Sequence, residues 1–285
     1  MENNYWIVDD SLIFKPKFNE ELTDYYDVIN KYSKIIFSNY NDHLISIETN
    51  NLCDEKYIKN YISSKFNQKI NLSNNINLTH LTFGDIFNQK IDLSNNINLT
   101  HLTFEWRFNQ EIDLSNNINL THLTFGEIFN QKIDLSNNIN LTHLTFEVHF
   151  NQEIDLSNNI NLTHLTFGDD FNQEITIPFN IKSLTMNSCN NQYIIDNLHN
   201  NIEELIICKT NLNLDNLPNS IKKIYIDDYK KELNNLPNSI EYLELKNYKL
   251  KIKKFPKNLK TIKCYKSYKN YKYINDFKDY EVIYY

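Results

Sequence analysis

Along the middle of the chain the apolar positions recur in a fixed order. In L-T-H-L-T-F, first at Leu78–Phe83, the first, fourth and sixth positions are apolar, and Leu81 and Phe83 alternate with the polar His80 and Thr82. That alternation predicts a short strand with one buried face. The run returns from Leu99, Leu120, Leu141 and Leu162, a period of 21 residues. Between runs, Ile91-Asp92-Leu93 alternates again and predicts a second short strand. The S-N-N after it is turn chemistry, because Asn tolerates left-handed backbone that β-branched residues resist.

Each repeat opens on F-N-Q, at Phe66, Phe87, Phe108, Phe129, Phe150 and Phe171. Gly84, Gly126 and Gly168 follow L-T-F in every second repeat, with Glu105 and Glu147 between them, which marks a two-repeat block as the copied piece. One repeat is too small to close a core. Stacked repeats bury their apolar side chains against one another, and identical residues then fall about 4.8 Å apart. Beyond Phe171 the pattern wears. Ile181, Ile202, Ile221, Ile240 and Leu259 begin IKSLTM, IEELII, IKKIYI, IEYLEL and LKTIKC, with the spacing settling at 19. Upstream, FNEEL (Phe18–Leu22) and YNDHL (Tyr40–Leu44) read as worn copies.

L-x-x-L-x-L followed by an Asn-containing turn resembles the leucine-rich repeat. More closely, F-N-Q-x-I, L-P-N-S-I and L-T-H-L-T-F-G resemble the FNIP (IP22) repeat family, known from social amoebae and from giant DNA viruses of amoebae. The family's Pro before Ile is replaced here by Lys69, Lys90, Glu111, Lys132, Glu153 and Glu174, and L-P-x-S-L survives only in the C-terminal repeats. The resemblance implies a leucine-rich-repeat-like, β-rich solenoid: a stack of 19–21-residue repeats with parallel strands on one face. The expected organisation is an N-terminal cap with degenerate repeats over 1–62, the solenoid over 63–264, and a Tyr/Lys-rich cap or tail over 265–285. The resemblance also implies a non-enzymatic scaffold or adaptor that binds protein partners, plausible for a virus-encoded protein acting on host proteins. Some family members recruit a ubiquitin ligase through an N-terminal F-box, but residues 1–60 show no L-P-x-E/D start of one.

Composition changes this picture little. There is no Ala, a single Arg (Arg107), three Gly and five Pro, with Asn, Ile, Lys, Tyr and Phe in excess. Those are residues of A/T-rich codons, so a given Asn or Lys carries little information by itself. The start, MENNYWIVDD, lacks the basic and apolar regions of a signal peptide, no apolar run is long enough for a membrane span, and the four cysteines form no C-x-x-C. A cytoplasmic, reduced setting and no membrane contact are expected. The five N-L-T triplets are then accidental as glycosylation acceptors.

The candidate chemistry follows the repeats. His80, His101, His122, His143 and His164 form one row on the outward strand face. A straight row brings at most two imidazoles near one ion, so no metal and no cofactor are expected. Crowding predicts lowered histidine pKa values and weaker stability below about pH 6. The Asn of F-N-Q (Asn67, Asn88, Asn109, Asn130, Asn151, Asn172) is expected to turn inward and bond the backbone of its turn. The copies differ most in the three residues after L-T-F. Trp106, Arg107 and His149 stand there, and the first two are residue types enriched at binding hot spots. Lysines from Lys246 to Lys263 and YKSYKNYKY (Tyr265–Tyr273) offer nucleic acid an alternative site, but the net charge of −7 makes nucleic acid an unlikely partner. No phosphate loop, G-x-S-x-G or H-E-x-x-H is present, so no catalytic activity is expected.

Overall fold

One short strand per repeat carries the architecture. The computed structural model describes residues 4–43, 60–250, 252–264 and 281–284. The chain divides into two compact units, Met1–Glu147 with Ile154–Asn161, and Val148–Glu153 with Leu162–Tyr285. Each is a β-solenoid.

The strands of the first unit are β1 (Tyr5–Val8), β2 (Ser11–Phe14), β3 (Lys34–Phe37), β4 (His80–Phe83), β5 (His101–Phe104), β6 (His122–Phe125) and β7 (His143–Phe146). β1 and β2 form an antiparallel hairpin, and β2 to β7 are parallel. From β4 to β7 the register is exact in residue type: His faces His, Leu faces Leu, Thr faces Thr and Phe faces Phe. The period-2 alternation buries Leu and Phe and leaves His and Thr half-buried on the outward face. Inside, two phenylalanine columns interlock. Phe83, Phe104 and Phe125 stack at 5.5 and 5.8 Å, Phe87, Phe108 and Phe129 stack at 6.1 Å, and each strand Phe meets the following F-N-Q Phe at 3.7–3.9 Å. Leucine columns close the remaining interior.

Behind the strands the expected second strand at Ile91–Leu93 does not form. The segment is irregular, and two consecutive turns follow it, closed by Asn96 N–H to Leu93 O (2.9 Å) and Leu99 N–H to Asn96 O (3.0 Å). The turns are tied to one another by a side chain. Nδ2 of Asn96 donates to Leu72 O (3.0 Å) and Asn75 O (2.8 Å), the two carbonyls that close the turns of the preceding repeat. Asn117, Asn138 and Asn159 repeat this geometry, and all four are fully buried. The sequence reading gave this inward role to the Asn of F-N-Q. That Asn is only half-buried, and it acts as an acceptor: Asn88 Oδ1 receives Asn109 N–H and Gln110 Nε2, both at 2.9 Å. The full burial belongs to the second Asn of S-N-N, which sits where the turn bends into the core.

At the N-terminal end, Phe18 stacks on Phe66 at 5.8 Å, and Asn19 Oδ1 receives Asn67 N–H at 2.9 Å, the F-N-Q contacts in worn form. Tyr40 does not play that part after β3. Phe66 does, lying 3.9 Å from Phe37, while Tyr40 bridges to Tyr61; of Y-N-D-H-L only Leu44 lies outside the described residues. A short helix, α1 (Tyr26–Ile29), replaces a turn, and Asn75 donates to Ile29 O and Tyr32 O at its C-terminal end.

The second unit holds β8 (His164–Phe167), β9 (Ser183–Asn187), β10 (Glu204–Cys208), β11 (Lys223–Asp227), β12 (Tyr242–Lys246), β13 (Thr261–Cys264) and β14 (Glu281–Tyr284), with a short helix α2 (Gln192–Asp196) after β9. All neighbouring strand pairs in it are parallel. Here Tyr229 and Tyr248 do the work of the F-N-Q phenylalanines while satisfying their hydroxyls: Tyr229 Oη donates to Leu212 O at 2.8 Å. The L-P-N-S turns are stitched by serine, with Ser220 Oγ donating to Ile202 O and Ser239 Oγ to Ile221 O. Ser188, Lys209, Asp228 and Asn247, each just past a strand, have positive φ near 50°.

Asn117→Ala leaves Leu93 O and Asn96 O without their side-chain donor inside the protein, so we expect a loss of about 2–3 kcal/mol. Asn109→Ala, at a half-exposed rung, should cost about 1 kcal/mol. Urea unfolding followed by circular dichroism measures both, and equal losses would contradict the distinction between the two ladders.

Candidate recognition surfaces

The outward face of the first unit carries the histidine row. His80, His101, His122 and His143 stack with centroids 4.1, 4.3 and 4.2 Å apart and planes within 10°. Each ring is fixed through Nδ1, 2.9 Å from the preceding threonine hydroxyl. In Thr100, Thr121 and Thr142 that hydroxyl donates its single hydrogen to the carbonyl of the threonine one repeat earlier, at 3.0 Å. It must therefore accept from Nδ1–H, which makes Nε2 the acceptor nitrogen of the neutral ring. Burial, with the charges of Lys34 and His122, lowers the His80 pKa; burial, with His80, Lys34 and His143, lowers that of His101 to about 4. His164 opens β8 in the second unit, exposed, with Nδ1 2.9 Å from Thr163 Oγ1. Among the described residues no group of three or more His, Cys, Asp or Glu is placed to hold a metal ion.

The loops after the strands explain the alternation of Gly and Glu. A Cβ on Gly126 would lie 2.2 Å from Glu105 O, and one on Gly84 would lie 2.6 Å from Phe37 O. Neither glycine has positive φ, so close approach of the neighbouring backbone, not backbone freedom, demands them. The half-buried Glu105 side chain is pushed up to about 7 by burial and by the carboxylates of Asp85, Glu147 and Glu127. Asp85 is itself buried, held by Asn39 Nδ2 at 2.8 Å and by the Tyr61 hydroxyl. Next to Glu105, Trp106 is 44% exposed, and the Arg107 guanidinium sits 5.6 Å from its ring centre, a cation–π pair presented to solvent. This pair lies past the C-terminal end of β5, and His101 lies at its N-terminal end, so the fold keeps them apart. In the second unit His149 Nδ1 is 2.7 Å from Asp170 Oδ2, both side chains about half-exposed.

The outward face of β10 to β12 was missed by the sequence reading. Ile206, Tyr225 and Glu244 stand opposite one another, as do Glu204, Lys223 and Tyr242, and Cys208, Asp227 and Lys246. Tyr225 and Tyr242 approach to 5.4 Å, both half-buried, and Tyr242 Oη donates to Glu244 at 2.7 Å. Burial raises both phenol pKa values, Tyr242 further through its bond to Glu244. Ion pairs frame them: Lys223–Glu204 at 3.8 Å, Lys246–Asp227 at 3.7 Å and Lys263–Glu244 at 3.5 Å. The signal was available in the polar positions of IKKIYI and IEYLEL, which carry side chains quite unlike His and Thr. Lys253 and Lys260 also meet carboxylates, Glu232 at 2.9 Å and Glu241 at 2.6 Å, so much of the lysine-rich region is locally neutralised. The Tyr265–Tyr273 stretch lies outside the described residues. No helix among them is long and apolar enough to cross a membrane.

Residues 211–248 match the FNIP Repeat family. The match falls on the repeats that keep L-P-N-S-I and bears out the resemblance read from the sequence. None of the curated proteins compared matches the chain by sequence. Among solved structures, the chain is similar to CroV588, described as a circular leucine-rich-repeat protein, at 24% identity and a TM-score of 0.50 over 93% of this chain and 58% of that one. It is also similar to the internalin InlF of Listeria monocytogenes, at 18% identity and a TM-score of 0.53 over 96% of this chain and 86% of that one. These likenesses support the leucine-rich-repeat-like fold. The chain spans under two-thirds of the CroV588 chain.

His80 and His101 bind protons less well folded than unfolded. Their stabilising contribution is intact above their ordinary value of 6.5 and is lost as pH falls below it, for His101 through about 4. Glu105 acts in the opposite sense: its folded carboxyl holds the proton better, so its contribution is present below 4.5 and is lost as pH rises to about 7. Thermal melts should therefore show His101→Gln flattening the fall in Tm between pH 6.5 and 4. Glu105→Gln should raise Tm near pH 8 and leave it unchanged near pH 4. Variants with wild-type pH profiles would contradict both assignments.

Proposed function

We propose that this protein is a non-catalytic recognition scaffold that binds a protein partner inside a cell, through the outward face of β10 to β12. The observation that carries this reading is the Tyr225–Tyr242 pair, with Ile206 beside it and ion pairs around it. Aromatic anchors within a polar rim are the usual anatomy of a protein-binding hot spot. The leucine-rich-repeat-like fold agrees, since such folds commonly bind proteins. The thiols of Cys189, Cys208 and Cys264 are free, which suits a reducing compartment. Trp106 and Arg107 form a second aromatic–cation anchor on the first unit. A host protein, or a component of a ubiquitin ligase, is the partner that the family resemblance suggests.

Capture of lysate proteins on the immobilised full chain tests the reading. Tyr225→Ala combined with Tyr242→Ala should lower recovery of a stoichiometric partner at least tenfold while the melting temperature stays close to wild type. Trp106→Ala with Arg107→Ala reports on the second anchor in the same assay. Undiminished recovery by the tyrosine variant would remove this face from the function.

A further inference from the structure

The turns of the first unit expose a line of isoleucines. Ile76, Ile97, Ile118, Ile139 and Ile160 are 59, 52, 50, 46 and 60% exposed, one per repeat. At adjacent-strand spacing the line is roughly 19 Å long. The fold does not require an isoleucine there, because the equivalent turn positions of the second unit are Phe179, which keeps the position apolar, and then the exposed Asn200, Asn219, Asn238 and Lys257. Alongside runs a groove of about 700 Å³, lined by asparagines from Asn77 to Asn161 and threonines from Thr79 to Thr142. No charged residue occurs between Ser73 and Thr79, or in the corresponding segment of the other four copies.

We propose that this stripe is the contact by which two copies of the chain associate. Three features select a second copy as the occupant. The stripe is neutral in a protein of net charge −7, so here a copy approaches without the repulsion that much of the remaining surface would impose. Its side chains repeat at one pitch, and a second copy offers a surface of the same pitch that meets all five at once. A two-fold axis sets the stripe against itself, with the neutral, Asn- and Thr-lined groove alongside as a polar rim. With the axis through the middle of the row, Ile118 meets Ile118 of the copy, and Ile97 lies by the copy's Ile139. The patch is smaller than the ~800 Å² per partner of a standard interface, so association is weak.

Sedimentation equilibrium on the full chain, from about 1 µM to 1 mM, should show a dimer half-formed at tens of micromolar and not weakened by salt. Ile118→Lys and Ile118→Glu should each dissociate at least tenfold more readily, and mixing them should restore a heterodimer. Ile118→Asn, a residue that the second unit uses, keeps the fold and separates loss of contact from loss of structure. A monomer across the whole range overturns the proposal, as does an Ile118→Lys variant that dimerises like wild type. Binding of a monomeric wild type to phosphatidylcholine vesicles, abolished by Ile118→Lys, would assign the stripe to lipid instead.

Discussion

A buried primary amide that donates to two carbonyls of the preceding repeat sets the geometry of the first unit. Asn96, Asn117, Asn138 and Asn159 each reach back to the carbonyls that close the two turns before them. The position needs two donors on a short arm. Aspartate has none when ionised, serine has one, and glutamine is a methylene longer. Once that spacing is set, the strands have a single register, and the phenylalanine columns, the histidine row and the isoleucine line follow from it. Strand hydrogen bonds alone would not fix where the back of each repeat lies.

In-register stacking of identical residues limits the chemistry a repeat can display. Any charge placed on the strand face is placed again one strand spacing away. The first unit resolves this with neutral groups, the threonines and the imidazoles tied to them. On the back, Asp92, Asp113, Asp134 and Asp155 stay ionised because a serine N–H, then the serine hydroxyl, bonds each carboxylate and lowers its pKa. The worn repeats escape the constraint. At the position of the first unit's threonines, Lys182, Glu203, Lys222, Glu241 and Lys260 alternate in sign; Glu203 pairs with Lys182 and Lys222, and Glu241 with Lys260. Divergence is thus what allows the second unit a varied, charged and aromatic face.

The strands were legible because L-T-H-L-T-F shows its period-2 alternation and its 21-residue repeat without interference. The stacking of like on like followed from the identity of the copies. The back of the repeat was less legible. Ile91-Asp92-Leu93 has strand alternation, but its last carbonyl, Leu93 O, is taken by the turn that follows, where it receives Asn96 N–H. Two asparagines in S-N-N look alike in sequence, and only the path of the turn decides which one is buried. The candidate surface of the second unit was obscured for another reason. Attention to motifs favours what repeats, and Tyr225 and Tyr242 are informative because they do not.

The close approach at Gly126 bears on how such an array can change length. A repeat that follows a Glu-type repeat must carry glycine after its strand, because any side chain there would strike the Glu105 carbonyl. Duplicating a Glu-type repeat by itself, or losing the Gly-type repeat between two of them, would set Glu against Glu at that point. Length changes that bring two Glu-type repeats together are therefore disfavoured, whereas those that bring two Gly-type repeats together pass, so recombination between copies is filtered in one direction only.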